Sequence, residues 1–144
     1  MEWDELFLEA AELFSKKSKD TTKIGCVLVR DNRPICVGFN GIPSGVEDRP
    51  ERLERPEKYK WICHSETNAI ANAAKFGIAL DGSTLYVTGH PCNECAKMII
   101  GAGIKEVKYG PRIFNKDFDF HISKQMFEEA GIKVVQLNNG ETNV

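Results

Sequence analysis

No apolar run in the sequence approaches the about eighteen residues that a membrane-spanning helix needs, so no membrane partner is expected. An excess of one charge is missing too. Nineteen basic against 21 acidic side chains leave a net charge of −2, which argues against a broad grip on nucleic acid and favours a small ligand. The opening MEWDELFLEA carries acid where a secretory signal carries base, and no small-residue cleavage site follows. Export is therefore not expected, and the cytoplasm is the expected location. Five cysteines are an odd number at irregular spacing, a poor basis for a disulfide framework, so metal binding or buried free thiols must account for them. Internal repeats and low-complexity tracts are absent. With 42% hydrophobic and 28% charged residues, the 144-residue chain fits one globular domain with a substantial core.

Trp3, Leu6, Phe7, Ala10, Leu13 and Phe14 recur at helical spacing, which predicts an amphipathic helix over 2–16. The apolar runs 24–29 and 35–39, separated by Asp31 and Asn32, predict a β-hairpin. NGIPSG (40–45) follows as a candidate binding loop. Acidic and basic side chains cancel over 47–60, which reads as a solvated loop or short helix covering a site or a subunit contact. Helices are predicted over 65–76, 92–102 and 121–130, each stopped by a glycine, and strands over 84–88, 106–109 and 132–137. The order α-β-β-α-β-α-β-α-β implies one sheet covered by helices. The tail 138–144 is expected to fray.

Two motifs, CHSE (63–66) and PCNEC (91–95), open two of the predicted helices. Cys92 and Cys95 lie three apart, so their sulfurs share a helix face, and a helix N-terminus lowers thiol pKa values. His64 adds a neutral nitrogen. One His and two Cys leave a position of tetrahedral zinc open for water, which points to catalysis. Glu66 follows two residues after His64 and points elsewhere, free to handle protons. The 28 positions between His64 and Cys92 hold the predicted helix, turn and strand, so the motifs can meet. Taken singly, Cys-x-x-Cys can be a redox pair or half of a structural zinc site, and a histidine at a helix start can be a cap. The combination is far more specific. Cys63 as a fourth ligand would strain against its neighbour His64.

With SKD (18–20), KIG (23–25), GFNGIPSG (38–45), HSETNAI (64–70) and PCNECAKMIIGAGIKEV (91–107), the chain resembles the zinc-dependent cytidine/deoxycytidylate deaminases, whose signature is H-x-E with P-C-x-x-C. The similarity covers nearly the whole chain and is strongest to the members acting on deoxycytidylate (dCMP). It implies an α/β fold, a three-layer α/β/α sandwich with a five-stranded mixed sheet, as one catalytic domain over 1–144. It implies Zn²⁺ on His64, Cys92 and Cys95, with Glu66 as proton shuttle, and hydrolysis of dCMP to deoxyuridylate (dUMP) and ammonia in pyrimidine deoxynucleotide supply. Asn40 is expected on a sugar hydroxyl, and Ser65 and Pro91 beside the substrate. Ser18, Lys19 and Thr21 are phosphate candidates from their donors, with Lys23, Lys75 and Arg112 as weaker cationic candidates. Ser65 stands where the family usually has alanine. The segment 47–60 lacks the cysteine and histidine that give some members a second zinc, so none is expected, and GPRIF (110–114) lacks a nucleotide-contacting tyrosine of some members. The resemblance further implies a homo-oligomer, dimer or hexamer, and possible dCTP and dTTP effectors.

The rival readings are a deaminase of dCTP or deoxycytidine, an RNA-acting deaminase, and a noncatalytic zinc-binding module. Burial is the expectation for Cys26 and Cys36, for Trp61, which could instead stack on a base or a neighbouring subunit, and for Phe114, Phe118 and Phe120, which could instead close over the base. His121 is expected at the surface or as a cap.

Overall fold

The computed structural model describes residues 1–112 and 120–137, so Phe114, Phe118 and the tail 138–144 lie outside the described residues. Helices are α1 (Trp3–Ser15), α2 (Lys58–Trp61), α3 (Ser65–Phe76), α4 (Asn93–Gly101) and α5 (His121–Glu129). Strands are β1 (Gly25–Arg30), β2 (Arg33–Phe39), β3 (Thr84–Gly89), β4 (Glu106–Arg112) and β5 (Lys133–Gln136). The expected order holds, with a 3-10 turn (Pro50–Leu53) and the short α2 added inside the charged segment 47–60. Among the described residues, no helix is long and apolar enough to cross a membrane.

Asp31 and Asn32 have φ of 53° and 57°, the paired left-handed conformation of a tight two-residue hairpin turn, and both residue types tolerate it. β1 and β2 therefore pair antiparallel from Arg30↔Arg33 to Gly25↔Phe39, with one irregularity between Leu28 and Val29. Pro34 lacks an N–H and is tolerated because β2 is an edge strand. The sheet runs β2-β1-β3-β4-β5, antiparallel at β1/β3 and parallel at β3/β4 and β4/β5. α4 and α5 supply the crossovers that parallel strands require.

Alternation along the strands divides the core between the two faces. Cys26, Leu28, Leu85, Val87 and Val107 pack with Ala69, Ala73, Cys95, Ala96, Ile99 and Phe127, so α3, α4 and α5 cover one face. Val27, Val29 and Tyr86 point the other way and meet Phe7 and Ala11 of α1. This is the three-layer mixed α/β arrangement, with α1 the helix that covers the second face among the described residues. Cys26 is buried, and Cys36 packs half-buried against the same core. Trp61 departs from its expected burial in the core: it is half-buried beneath the Arg52 guanidinium, 3.8 Å from its ring centroid. It sits in a short helix on the outside of the fold, where a cation can stack on its face.

Gly38 decides how closely α3 approaches the sheet. A Cβ there would lie 2.4 Å from the Ser65 carbonyl oxygen and 2.8 Å from Ala69 Cβ. The Cys26 thiol, directly paired with Gly38 across the hairpin, donates to the same Ser65 carbonyl at 3.4 Å. Gly38→Ala should therefore destabilise the protein by about 1–3 kcal/mol through overpacking against backbone. Gly41→Ala, whose Cβ meets nothing within 4 Å, should change stability little. Urea denaturation of both variants checks the contrast.

Candidate active site

His64 is the N-cap of α3 and Cys92 the N-cap of α4, so each motif supplies a ligand where a helix begins. Cys95 lies one turn into α4, buried. The His64 Nδ1 is 3.3 Å from both sulfurs, and the three ligand atoms lie within 4.8 Å of one another. Tetrahedral zinc with bonds of about 2.0–2.3 Å needs ligand atoms roughly 3.3–3.8 Å apart, which the two nitrogen–sulfur distances meet, so the donor set suits the ion. Both helices direct unpaired N–H groups and positive dipole ends at the cluster, which favours thiolate.

Proton distribution follows from the geometry. The Cys92 thiol is held down to about 4, first by the hydrogen bond it accepts from Cys95 and also by His64. Cys95 is pushed up by that same bond and by burial. His64 is raised, chiefly by its hydrogen bond with Cys92. The pair thus gives up one proton readily and holds the second until a cation arrives.

Glu66 occupies the first turn of α3 and is 5% exposed. Burial raises its pKa, opposed by a 2.6 Å hydrogen bond donated by Ser65 Oγ. It lines a cavity together with His64, Cys92 and His90. His90 packs edge-on to Tyr109 and against Phe120, with ring centroids 4.8 and 5.0 Å away, so Phe120 serves this wall from outside.

A hydrogen-bond network builds the rest of the wall. Asn40 is buried; its Oδ1 accepts the Ile24 N–H at 2.9 Å, and its Nδ2 donates to the Thr22 carbonyl at 2.7 Å and to Asp20 at 3.2 Å. Asp20 also accepts from the Lys58 ammonium at 2.9 Å, in an ion pair whose two side chains are each 6% exposed. Asp20, Thr22, Asn40 and Lys58 all line the cavity, with Arg55 and Tyr59. Gly41 and Cys63 exchange two backbone hydrogen bonds of 3.0 and 2.9 Å, and Asn68 donates to the Phe39 carbonyl at 2.9 Å. The GFNG turn is thereby fixed against the residues flanking His64.

The other expected site residues stand further back. Ser18 is buried and its hydroxyl accepts the Asp20 N–H, Lys19 pairs with Asp48 at 2.7 Å on the surface, and Thr21 donates to Asp20. None of these three lines the cavity; Asp20 and Thr22 do. Ser65 and Pro91 are fully buried behind it. Lys23 donates to the Ser18 carbonyl, Arg112 pairs with Glu12 at 2.7 Å, and Lys75 lies near the Phe76 ring, so none of them reaches the cavity wall. Exposed His121 opens α5. Asp20, Arg55, Lys58, Tyr59 and His90 are cavity residues not singled out by sequence reasoning. Asp20 closes the SKD match, and Arg55, Lys58 and Tyr59 lie in the 47–60 segment read as covering a site or a subunit contact; His90 carried no signal.

The family model for the cytidine and deoxycytidylate deaminase zinc-binding region matches residues 1–111, which include the cluster, Glu66 and every lining residue of the cavity. The chain belongs to this deaminase family. Human deoxycytidylate deaminase is 36% identical over 140 residues, spanning 92% of this chain and 78% of that protein. A probable deoxycytidylate deaminase of Caenorhabditis elegans is 40% identical over 138 residues, spanning 91% and 68%. The crystal structure of dCMP deaminase from cyanophage S-TIM5 in complex with dCMP and dUMP superposes with a TM-score of 0.74 at 30% identity, covering 92% of this chain and 95% of that one. The deaminase fold and its zinc chemistry thus agree with the donor set built from His64, Cys92 and Cys95.

Because Cys95 keeps its proton until metal binds, titrating Zn²⁺ into metal-free protein at neutral pH should release about one proton or more per ion. Calorimetry in two buffers of different ionisation enthalpy measures this number. Cys95→Ser should lose most of its bound zinc by elemental analysis.

Proposed function

We propose that this protein hydrolyses dCMP to dUMP and ammonia. The observation that carries the reading is a buried carboxyl, Glu66, sharing one cavity with a three-ligand His/Cys/Cys cluster, in a chain akin to deoxycytidylate deaminases. A cluster of three protein ligands matches catalytic zinc sites, which keep one position free for water or substrate.

Zinc, when bound, supplies the Lewis acidity that makes water nucleophilic near neutral pH. The chain's own groups handle the protons. Glu66 accepts a proton from the attacking water and delivers it to ring N3, then takes the proton of the hydroxyl now on C4 and passes it to the departing amino nitrogen as the C4–N4 bond breaks and the C4 carbonyl forms. Burial suits it to this exchange, because raising a carboxyl's pKa makes its protonated form easier to reach. The Ser65 hydroxyl, bonded to Oε1, orients the carboxyl and leaves Oε2 toward the reaction. Asn40 has both Nδ2 hydrogens engaged, so its Oδ1 is the atom that accepts a sugar hydroxyl. Ser18 and Thr21 act through Asp20, and Pro91 by setting the start of α4.

The reading places a single catalytic domain in the cytoplasm, and five cysteines, all free, suit a reducing compartment. It extends to homo-oligomer assembly, for which exposed Trp3, Leu6, Leu13 and Phe14 on α1 offer apolar surface. Control by dCTP and dTTP belongs to the same reading; either should change the shape of the dCMP saturation curve.

Ammonia release from dCMP, CMP, dCTP, deoxycytidine and adenosine tests the substrate class, and dCMP is expected to lead. A preference for deoxycytidine or dCTP moves the assignment within the family, and no release from any of them removes it. Glu66→Gln should retain zinc while turnover falls by about 10²–10⁴-fold, and near-normal deamination would remove Glu66 from its role.

A further inference from the structure

Two cations line the cavity, Arg55 and Lys58, and their surroundings differ sharply. Lys58 is buried and its charge is balanced by Asp20 at 2.9 Å. Arg55 is exposed, and no hydrogen bond or ion pair engages it among the described residues. Every other arginine of the chain is occupied. Arg30 donates to the Ala79 carbonyl, Arg33 to Asp31, Arg49 to Glu47, Arg52 to the Glu47 carbonyl, and Arg112 to Glu12. Lys19 and Lys23 of the neighbouring loop are engaged as well, Lys19 by Asp48 and Lys23 by the Ser18 carbonyl. Among the described residues the cavity lining therefore has one uncommitted side-chain cation, exposed Arg55, in the same cavity as His64, Cys92 and buried Glu66.

We propose that Arg55 is the specificity-determining residue that binds the phosphate of a nucleoside monophosphate at the cavity mouth. This rests on the deaminase reading and names the group that separates nucleotide from nucleoside. The chemistry is complementary, because a guanidinium presents paired N–H donors to two oxygens of a phosphate monoester. Asp20 would repel a dianion if it stood alone. The buried Lys58 neutralises it, and as the residue three positions on from Arg55, Lys58 also fastens the segment carrying Arg55 to the loop beneath.

The test measures binding of dUMP and deoxyuridine by calorimetry to the zinc-loaded full chain, as wild type, Arg55→Gln and Arg55→Lys. Wild type should bind dUMP more tightly than deoxyuridine. Arg55→Gln should weaken dUMP by about tenfold to a hundredfold, as loss of a hydrogen-bonded charge does, and leave deoxyuridine where it was. Arg55→Lys should restore part of the loss, and the salt dependence of dUMP binding should flatten in Arg55→Gln. Equal weakening of both ligands, undiminished dUMP binding by Arg55→Gln, or a wild type that does not distinguish the two ligands would each overturn the proposal. The two readings fail separately. A protein that binds dUMP through Arg55 but releases no ammonia from dCMP upholds this proposal and refutes the deaminase assignment, whereas deamination with dUMP binding indifferent to Arg55 does the reverse.

Discussion

The contact on which the molecule depends is the seating of the first turn of α3 against the β1–β2 hairpin. Gly38 leaves no side chain between them, and the Cys26 thiol fills the remaining space while bonding the Ser65 carbonyl. Three consecutive residues owe their positions to this seat: His64 caps the helix, Ser65 is buried beneath it, and Glu66 faces the cavity. The opposing helix start is placed by an independent device, the exit of β3 at Gly89 through His90 and Pro91 into the Cys92 cap. Two rigid elements ending at the same point hold three ligands closely enough that a metal ion need not organise them, in line with the preorganisation that catalytic sites require.

Burial assigns different tasks to the titratable groups. Glu66 and the Cys92–Cys95 pair lie at neighbouring helix starts, yet burial raises the carboxyl's pKa while the pair's first ionisation is made easier. The difference is local. Glu66 is enclosed with one hydroxyl donor, whereas Cys92 receives an S–H bond and faces an imidazole. A carboxyl that stays available for protons and a thiolate that stays available for metal can thus sit side by side without exchanging roles.

The sequence disclosed those parts of the site whose geometry is local. Cys92 and Cys95 share a face because of helical periodicity, His64 and Glu66 diverge because one precedes and the other enters a helix, and the hairpin follows from Asp31 and Asn32. The second wall was illegible for the opposite reason. Asp20 meets Lys58 and Asn40 across 38 and 20 positions of chain, and no periodic signal connects them. A run of cancelling charges, 47–60, looks like solvated surface until folding shows which of its members turn inward. Lys58 does so while Lys60 and Glu57 remain outside. The same limit applies to Ser18, Lys19 and Thr21, where the Ser18 hydroxyl accepts the Asp20 N–H, Thr21 donates to Asp20, and Lys19 pairs with Asp48.

The Gly41–Cys63 bridge pinches the chain at the two ends of the segment that carries Arg55, Lys58 and Tyr59. The segment is therefore a closed cassette, tied to the body by the Lys58–Asp20 and Lys19–Asp48 pairs. The bridge anchors both of its ends beside Asn40 and His64, while Lys58 remains the one of its side chains that the Asp20–Asn40 network uses. Selectivity in this architecture is thereby free to diverge while the chemistry stays constant, and the cassette is the natural graft point for redirecting the scaffold to another ligand.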